Sequence, residues 1–204
     1  MRYCSQALGA RPFRISTAPV DAIISGGFKW LCGPYGTGFC WMRPELRESL
    51  EYNQAYWLSV LTAEDLQKEQ AEHKLRDDLG ARKYDVFGTA NFLNFKPSAA
   101  AFAYLLEQGI ERIEEHNQRL VSQMIDRLNP EKYDLLSPRE GDARSTLVFI
   151  SHKQPSRNGK IYDAMIQSGV HIAFRSGKLR FSPHRHNTDK DIDHALSVLE
   201  FAGS

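Results

Sequence analysis

Cysteine is scarce in this chain and its pattern is not that of a bridge or a metal knuckle. Cys4, Cys32 and Cys40 are an odd number with no CxxC pair, which excludes a disulfide scaffold and points to reduced thiols in a cytoplasmic protein. Long apolar runs are lacking too. No stretch approaches the roughly 20 residues needed to span a bilayer, and the charged opening does not read as a secretory signal peptide, so no membrane partner is expected. Charge of one sign is missing: 26 basic against 25 acidic side chains give +1, so no general affinity for nucleic acid is implied. Local charge is not set by the total, and a small anionic ligand stays open. What is present is 204 residues, 42% hydrophobic and 25% charged, enough for a core in one ordinary domain or two small ones.

Residues 20–25 (VDAIIS) are short, β-branched and apolar, the pattern of a buried parallel-type strand. Gly26-Gly27 halts it, and Phe28-Lys29-Trp30 follows at its carboxyl end, where open α/β sheets bind ligands. A second strand, 38–42, comes after the turn Gly33-Pro34-Tyr35-Gly36. Residues 62–78 are so charged that they read as a solvated helix or an excursion. Pro97 marks a helix start. Phe102, Leu105, Leu106, Ile110, Ile113, Leu120, Met124 and Leu128 then describe a long amphipathic helix, interrupted by Gly109. The pattern continues with a strand at 146–150, a helix at 159–168 closed by Gly169, and a hairpin of 170–174 with 179–182. Thr188 with Asp191 forms a capping box for a last helix along Ile192, Ala195, Leu196 and Leu199. The second half is thus α+β in the order α-β-α-β-β-α, and a boundary near Asn94 to Pro97 divides the chain into 1–95 and 96–204.

Lys29 is the residue whose setting points most directly to chemistry. Two glycines precede it and Phe28 and Trp30 flank it; an aromatic, partly dry setting disfavours the ammonium, which suits a Schiff-base amine. A surface lysine in a loop is the other reading. Residues 33–38 form a glycine-rich turn that could offer amides to an anion, or simply connect two strands. Gly88-Thr89 could give an amide and a hydroxyl to a phosphate, or cap a helix. Arg175 and Arg180 lie on the two hairpin strands, and a guanidinium fork suits bidentate capture of a carboxylate. His184 and His186 form HxH, but no carboxylate or cysteine cluster completes a metal shell.

As an ordered set, VDAIISGGFKWLCGPYGTGF, DVFGTANF, GIERIEEHNQRL and FRSGKLRFSPHRHNT followed by DIDHAL resemble the class V aminotransferase-like enzymes of fold-type I, which use pyridoxal 5'-phosphate. The flavour is similar to the isopenicillin N epimerase-like branch. The resemblance implies an α/β fold: a remnant of the large cofactor-lysine domain in 1–95, followed by a complete α+β C-terminal small domain in 96–204. It makes Lys29 the aldimine lysine and puts Gln6 against the cofactor's phenolic oxygen. It places Gly88 and Thr89 at the phosphate of a partner subunit's cofactor, and Arg180 on the substrate carboxylate with Arg175 in support. An amino-acid substrate and a homodimer follow from the same resemblance.

The departures from the family pattern are as informative. Tyr3 stands where the family has the aspartate facing the pyridine nitrogen, and a phenol with a pKa of about 10 is no fixed anion. Gly26 and Phe28 stand where many relatives place Ser and His, and His186 replaces the tyrosine of a Tyr-Asn-Thr signature. No cysteine lies between Arg175 and Arg180, where group II desulfurases carry a sulfur-accepting thiol. The family's N-terminal half, with its phosphate turn and stacking aromatic, has no counterpart here, so the chain resembles a C-terminal half. Two expectations follow: an enzyme of transamination, racemisation, epimerisation or elimination, with a separate chain as one possible source of the other half; or a catalytically incompetent fragment that dimerises or scaffolds.

Overall fold

A computed structural model describes residues 2–50, 75–85 and 91–203 of the chain. The chain divides into two compact units, one comprising Met1–Ser5 and Phe13–Phe102, the other Gln6–Pro12 and Ala103–Ser204. Both are mixed α and β. No helix among the described residues is long and apolar enough to cross a membrane.

The first unit holds a three-stranded sheet in the order β1 (Arg2–Tyr3), β2 (Ala22–Gly26), β3 (Gly38–Met42). The apolar run at 20–25 does build a buried strand, with Ala22 and Ile23 in the core. Its parallel character is only half realised: β2 runs parallel to β1 but antiparallel to β3, in the register Ile23↔Trp41 and Gly26↔Gly38. The connection from β2 to β3 contains no crossover helix, and so short a return suits an antiparallel neighbour. A short helix α1 (Pro44–Ser49) follows, opened by a proline in its first turn. Most of the charged 62–78 stretch lies outside the described residues.

Helix α2 (Phe92–Gln108) starts five residues before Pro97, contrary to the sequence expectation. Asn91 explains the difference: its carbonyl accepts from the amides of Asn94 and Phe95, and its Oδ1 also accepts from Asn94. The cap is thus made by an asparagine, and Pro97 sits inside the helix. Gly109, at φ +81, ends α2 and starts α3 (Ile110–Asp126), so the long amphipathic pattern is two helices.

The second unit is an antiparallel sheet in the order β4 (Tyr133–Leu135), β5 (Val148–His152), β7 (Lys178–Phe181), β6 (Ala173–Arg175). With it belong α3, α4 (Asn158–Gln167) and α5 (Asp189–Ala202). On α3, Ile113, Leu120, Val121 and Met124 recur at helical spacing, and from Leu120 onward they enter a core with Ile150, Ile161, Met165, Leu179 and Leu199. The capping box at Thr188 is present, with the Thr188 amide 2.7 Å from Asp191 Oδ2. Strand β4 is an addition to the α-β-α-β-β-α order. Strand β6 also begins later than 170, because the Val170 amide turns back to the Met165 carbonyl at 2.9 Å behind Gly169 (φ +77).

Tyr133 ties the C-terminus to this core. Its ring is buried, and its hydroxyl donates to the Leu199 carbonyl at 2.7 Å. Burial, with Glu200 nearby, pushes the phenol up to about 12. An acid whose folded pKa is raised contributes stability that is present below its unfolded value, about 10, and lost as pH rises toward the folded one. Unfolding measured from pH 9 to 12 is therefore expected to show stability falling above about pH 10, with a shallower fall in Tyr133→Phe.

Candidate functional site

In the first unit the chemistry-bearing element is the carboxyl end of β2 and the loop that leaves it. The Gly27 amide donates to the Thr37 carbonyl and the Gly33 amide to the Gly27 carbonyl, both at 2.8 Å, closing a tight loop around residues 28–32. Three glycines make that closure possible. A Cβ on Gly27 would lie 2.5 Å from Thr37 Oγ1, one on Gly33 3.0 Å from the Gly27 carbonyl oxygen, and one on Gly38 2.7 Å from the Ser25 carbonyl oxygen. The predicted glycine-rich turn thus forms the back wall of the lysine loop, with its Gly33 amide engaged by the Gly27 carbonyl.

Lys29 is carried at the bend of this loop, its carbonyl accepting from the Cys32 amide at 2.9 Å. The side chain is half-buried, with Nζ 5.6 Å from the centroid of the Phe28 ring, and it has no ion pair with a described residue. Trp30 is buried. Phe28 stacks on Tyr35 at 4.7 Å, and a Cβ on Gly26 would fall 2.8 Å from the Phe28 ring. The aromatic ring therefore fills the space over the strand end beside Gly26.

Other predicted residues fall as follows. Gln6 is exposed, in the turn after β1, and belongs to the second unit, while Lys29 belongs to the first. Gly88 and Thr89 lie outside the described residues. Tyr3 is 67% exposed on β1, opposite Ile24. Sequence reasoning missed Ser5: it is fully buried, and its Oγ accepts from the Gly26 amide at 2.6 Å, pinning the strand end that leads to Lys29. Nothing in a lone serine beside a predicted glutamine signals that role.

In the second unit, the hairpin pairs Ala173 with Arg180 and Arg175 with Lys178, so Arg175, Lys178 and Arg180 share one face. The other face carries Leu179 and Phe181 into the core. Burial first, and then the neighbouring Arg175 charge, hold Arg180 below the usual guanidinium value, and its buried Nε has no partner among the described residues. A guanidinium stays protonated at neutral pH, so this is a partly desolvated cation beside another cation. A carboxylate there would satisfy both. The HxH pair has ring centroids 5.6 Å apart, and His184 Nδ1 accepts the Arg185 amide at 2.7 Å. Among the described residues no group of three or more His, Cys, Asp or Glu is placed to hold a metal ion.

The aminotransferase class-V family profile matches residues 4–195. The chain belongs to that family. It is 25% identical to an uncharacterized aminotransferase, YcbU, of Bacillus subtilis (strain 168), over 95% of this chain and 49% of the relative. The apo cysteine desulfurase from Thermococcus onnurineus NA1 has the same fold, with a TM-score of 0.82 at 18% identity over 98% of this chain and 51% of that one. A variant of C-DES, solved with glycine covalently linked to its pyridoxal-phosphate cofactor, superposes with a TM-score of 0.74 at 19% identity, covering 95% and 49%. The chain spans about half the length of the curated relatives it matches. Pyridoxal phosphate is the cofactor of this class V family. The first unit's residues fit it: the glycine-backed loop presents an amine that no described acid neutralises.

Proposed function

We propose that the protein acts in pyridoxal 5'-phosphate chemistry on an amino acid, by transamination or epimerisation. Lys29 carries the cofactor, Gln6 together with Gly88 and Thr89 completes its binding, and Arg180, supported by Arg175, holds the substrate carboxylate. The observation that carries this reading is the Lys29 loop, a half-buried lysine without an acidic partner among the described residues, held at a strand end by backbone bonds that only glycines allow. Bound there, the cofactor supplies an electron sink for bond breaking at the substrate α-carbon. In this reading Lys29 Nζ takes the α-proton and returns it, and the Arg175–Arg180 face holds the carboxylate. An isopenicillin N epimerase-like branch, a cytoplasmic homodimer and a separate chain bringing the other half of the fold belong to the same proposal.

A second reading, a catalytically incompetent partner, is favoured by Tyr3. An exposed phenol stands where the resemblance expects a carboxylate facing the pyridine nitrogen, so the cofactor would be a weaker electron sink. The deciding experiment is α-proton exchange from a panel of amino acids in heavy water, with the purified chain saturated in cofactor. Saturable exchange abolished by Lys29→Ala supports the enzyme. Cofactor held on Lys29 without exchange supports the partner. Where exchange or substrate binding is found, Arg180→Lys keeps the charge but loses the planar fork. It is expected to weaken carboxylate affinity by about 1.5–3 kcal/mol in a binding titration. Unchanged affinity would move the clamp to Arg175.

A further inference from the structure

A second cationic cluster lies in the C-terminal unit and takes no part in the proposed chemistry. Gln108, Arg112, Ile113, His116 and Arg185 line a cavity of about 200 Å³ with no acidic side chain among the described residues of its wall. Elsewhere on this unit arginines meet carboxylates: Arg11 with Glu114, Arg119 with Asp189, Arg127 with Asp193, Arg139 with Asp126. Arg112 and Arg185 differ. Among the described residues neither is ion-paired, and their hydrogen-bond partners are neutral oxygens, the Glu107 carbonyl at 3.0 Å for Arg112 and Gln108 Oε1 for Arg185.

Arg185 is also held in place before any ligand arrives. Its guanidinium lies 5.9 Å from the centroid of the Tyr104 ring, and its amide donates to His184 Nδ1. His116 is oriented by a 3.0 Å bond to the Asn187 carbonyl, which can only accept, so Nε2 carries the proton. Each guanidinium has five N–H donors, and each uses only part of that set on neutral groups. Two positioned forks without a counter-charge are the arrangement that captures carboxylate or phosphate oxygens bidentately. The volume sets the size: it falls below the roughly 300–1,000 Å³ of pockets that enclose a drug-sized ligand, so the cavity suits an anionic headgroup.

We propose that this cavity binds a small oxyanion, the carboxylate or phosphate group of a metabolite-sized ligand, at a site apart from the Arg175–Arg180 face. The inference does not depend on the reading of Lys29. The full chain, free of cofactor, is titrated by calorimetry with inorganic phosphate and, separately, with succinate. Saturable binding of at least one is expected, weakened about tenfold or more in both Arg185→Gln and Arg112→Gln, and retained in Arg139→Gln, whose guanidinium already pairs with Asp126. Stronger binding of phosphate assigns a phosphate group, and stronger binding of succinate a carboxylate. Arg185→Lys, which keeps the charge, guards against a variant that loses its fold: it should retain the wild-type melting transition and bind with intermediate affinity. Failure of both anions to saturate, or loss of binding in Arg139→Gln while Arg185→Gln binds normally, would overturn the assignment.

Discussion

Incubating the chain with pyridoxal phosphate, reducing with borohydride and mapping the peptides is expected to place the label on one lysine, Lys29, and Lys29→Ala should reduce it to background. The loop geometry is the reason. Several other described lysines already have partners: Lys132 donates to Glu200, Lys153 to Asp134, and Lys83 lies over the Tyr84 ring. Asp134 raises the affinity of Lys153 for its proton, which works against a nucleophilic amine. Lys29 Nζ lies beside the Phe28 ring with no ion pair to a described residue, and its carbonyl accepts from the Cys32 amide. Label spread evenly over several lysines would remove Lys29 from the centre of the site.

Leu179→Ala should unfold the second unit at markedly lower temperature than wild type. Leu179 is fully buried in β7, paired with Ile150 on one side and Phe174 on the other. Truncating a buried leucine costs about 2–5 kcal/mol through lost transfer energy and the cavity left behind. In a chain of this size each kcal/mol corresponds to about 2–4 °C in melting temperature. Because strand side chains alternate, the loss should also reach the proposed carboxylate clamp: Arg180 is the next residue, on the opposite face of β7. Lys178→Ala, exposed on the cationic face, is the contrasting variant, with a change within about 0.5 kcal/mol. A melting temperature of Leu179→Ala equal to that of Lys178→Ala would mean the core does not depend on this strand.

Features set by a few neighbouring residues were legible in the sequence. The capping box at Thr188, the break at Gly109 and the β2–glycine–lysine order depend on contacts within a few positions. Features set by distant partners were not. Pro97 suggested a helix start until the Asn91 cap was seen, and β4 exists because Tyr133 pairs with His152 across the sheet, not because YDL has strand character. Among the candidate residues, Lys29, Arg175 and Arg180 stood out by type and place. Ser5 did not, because its contribution is one hydrogen bond to Gly26, 21 positions away. The Phe28 ring over Gly26 was equally hidden, since a substitution pattern names residues without saying which space they fill.

Residues 6–12 belong to the second unit although residues 13–102 separate them from the rest of it. One bond in that unit, Arg11 to Glu114, joins positions on either side of the separation. During synthesis this order matters. Residues 6–12 emerge before residues 13–102 and have to wait, their partners still unmade, while those residues are synthesised. Contacts of such sequence separation carry a loop-closure cost and slow the search for the native state. Cleavage in α2 between Phe102 and Ala103 would accordingly release a C-terminal fragment lacking a piece of its own unit, so the break between units cannot be a clean point of proteolytic division.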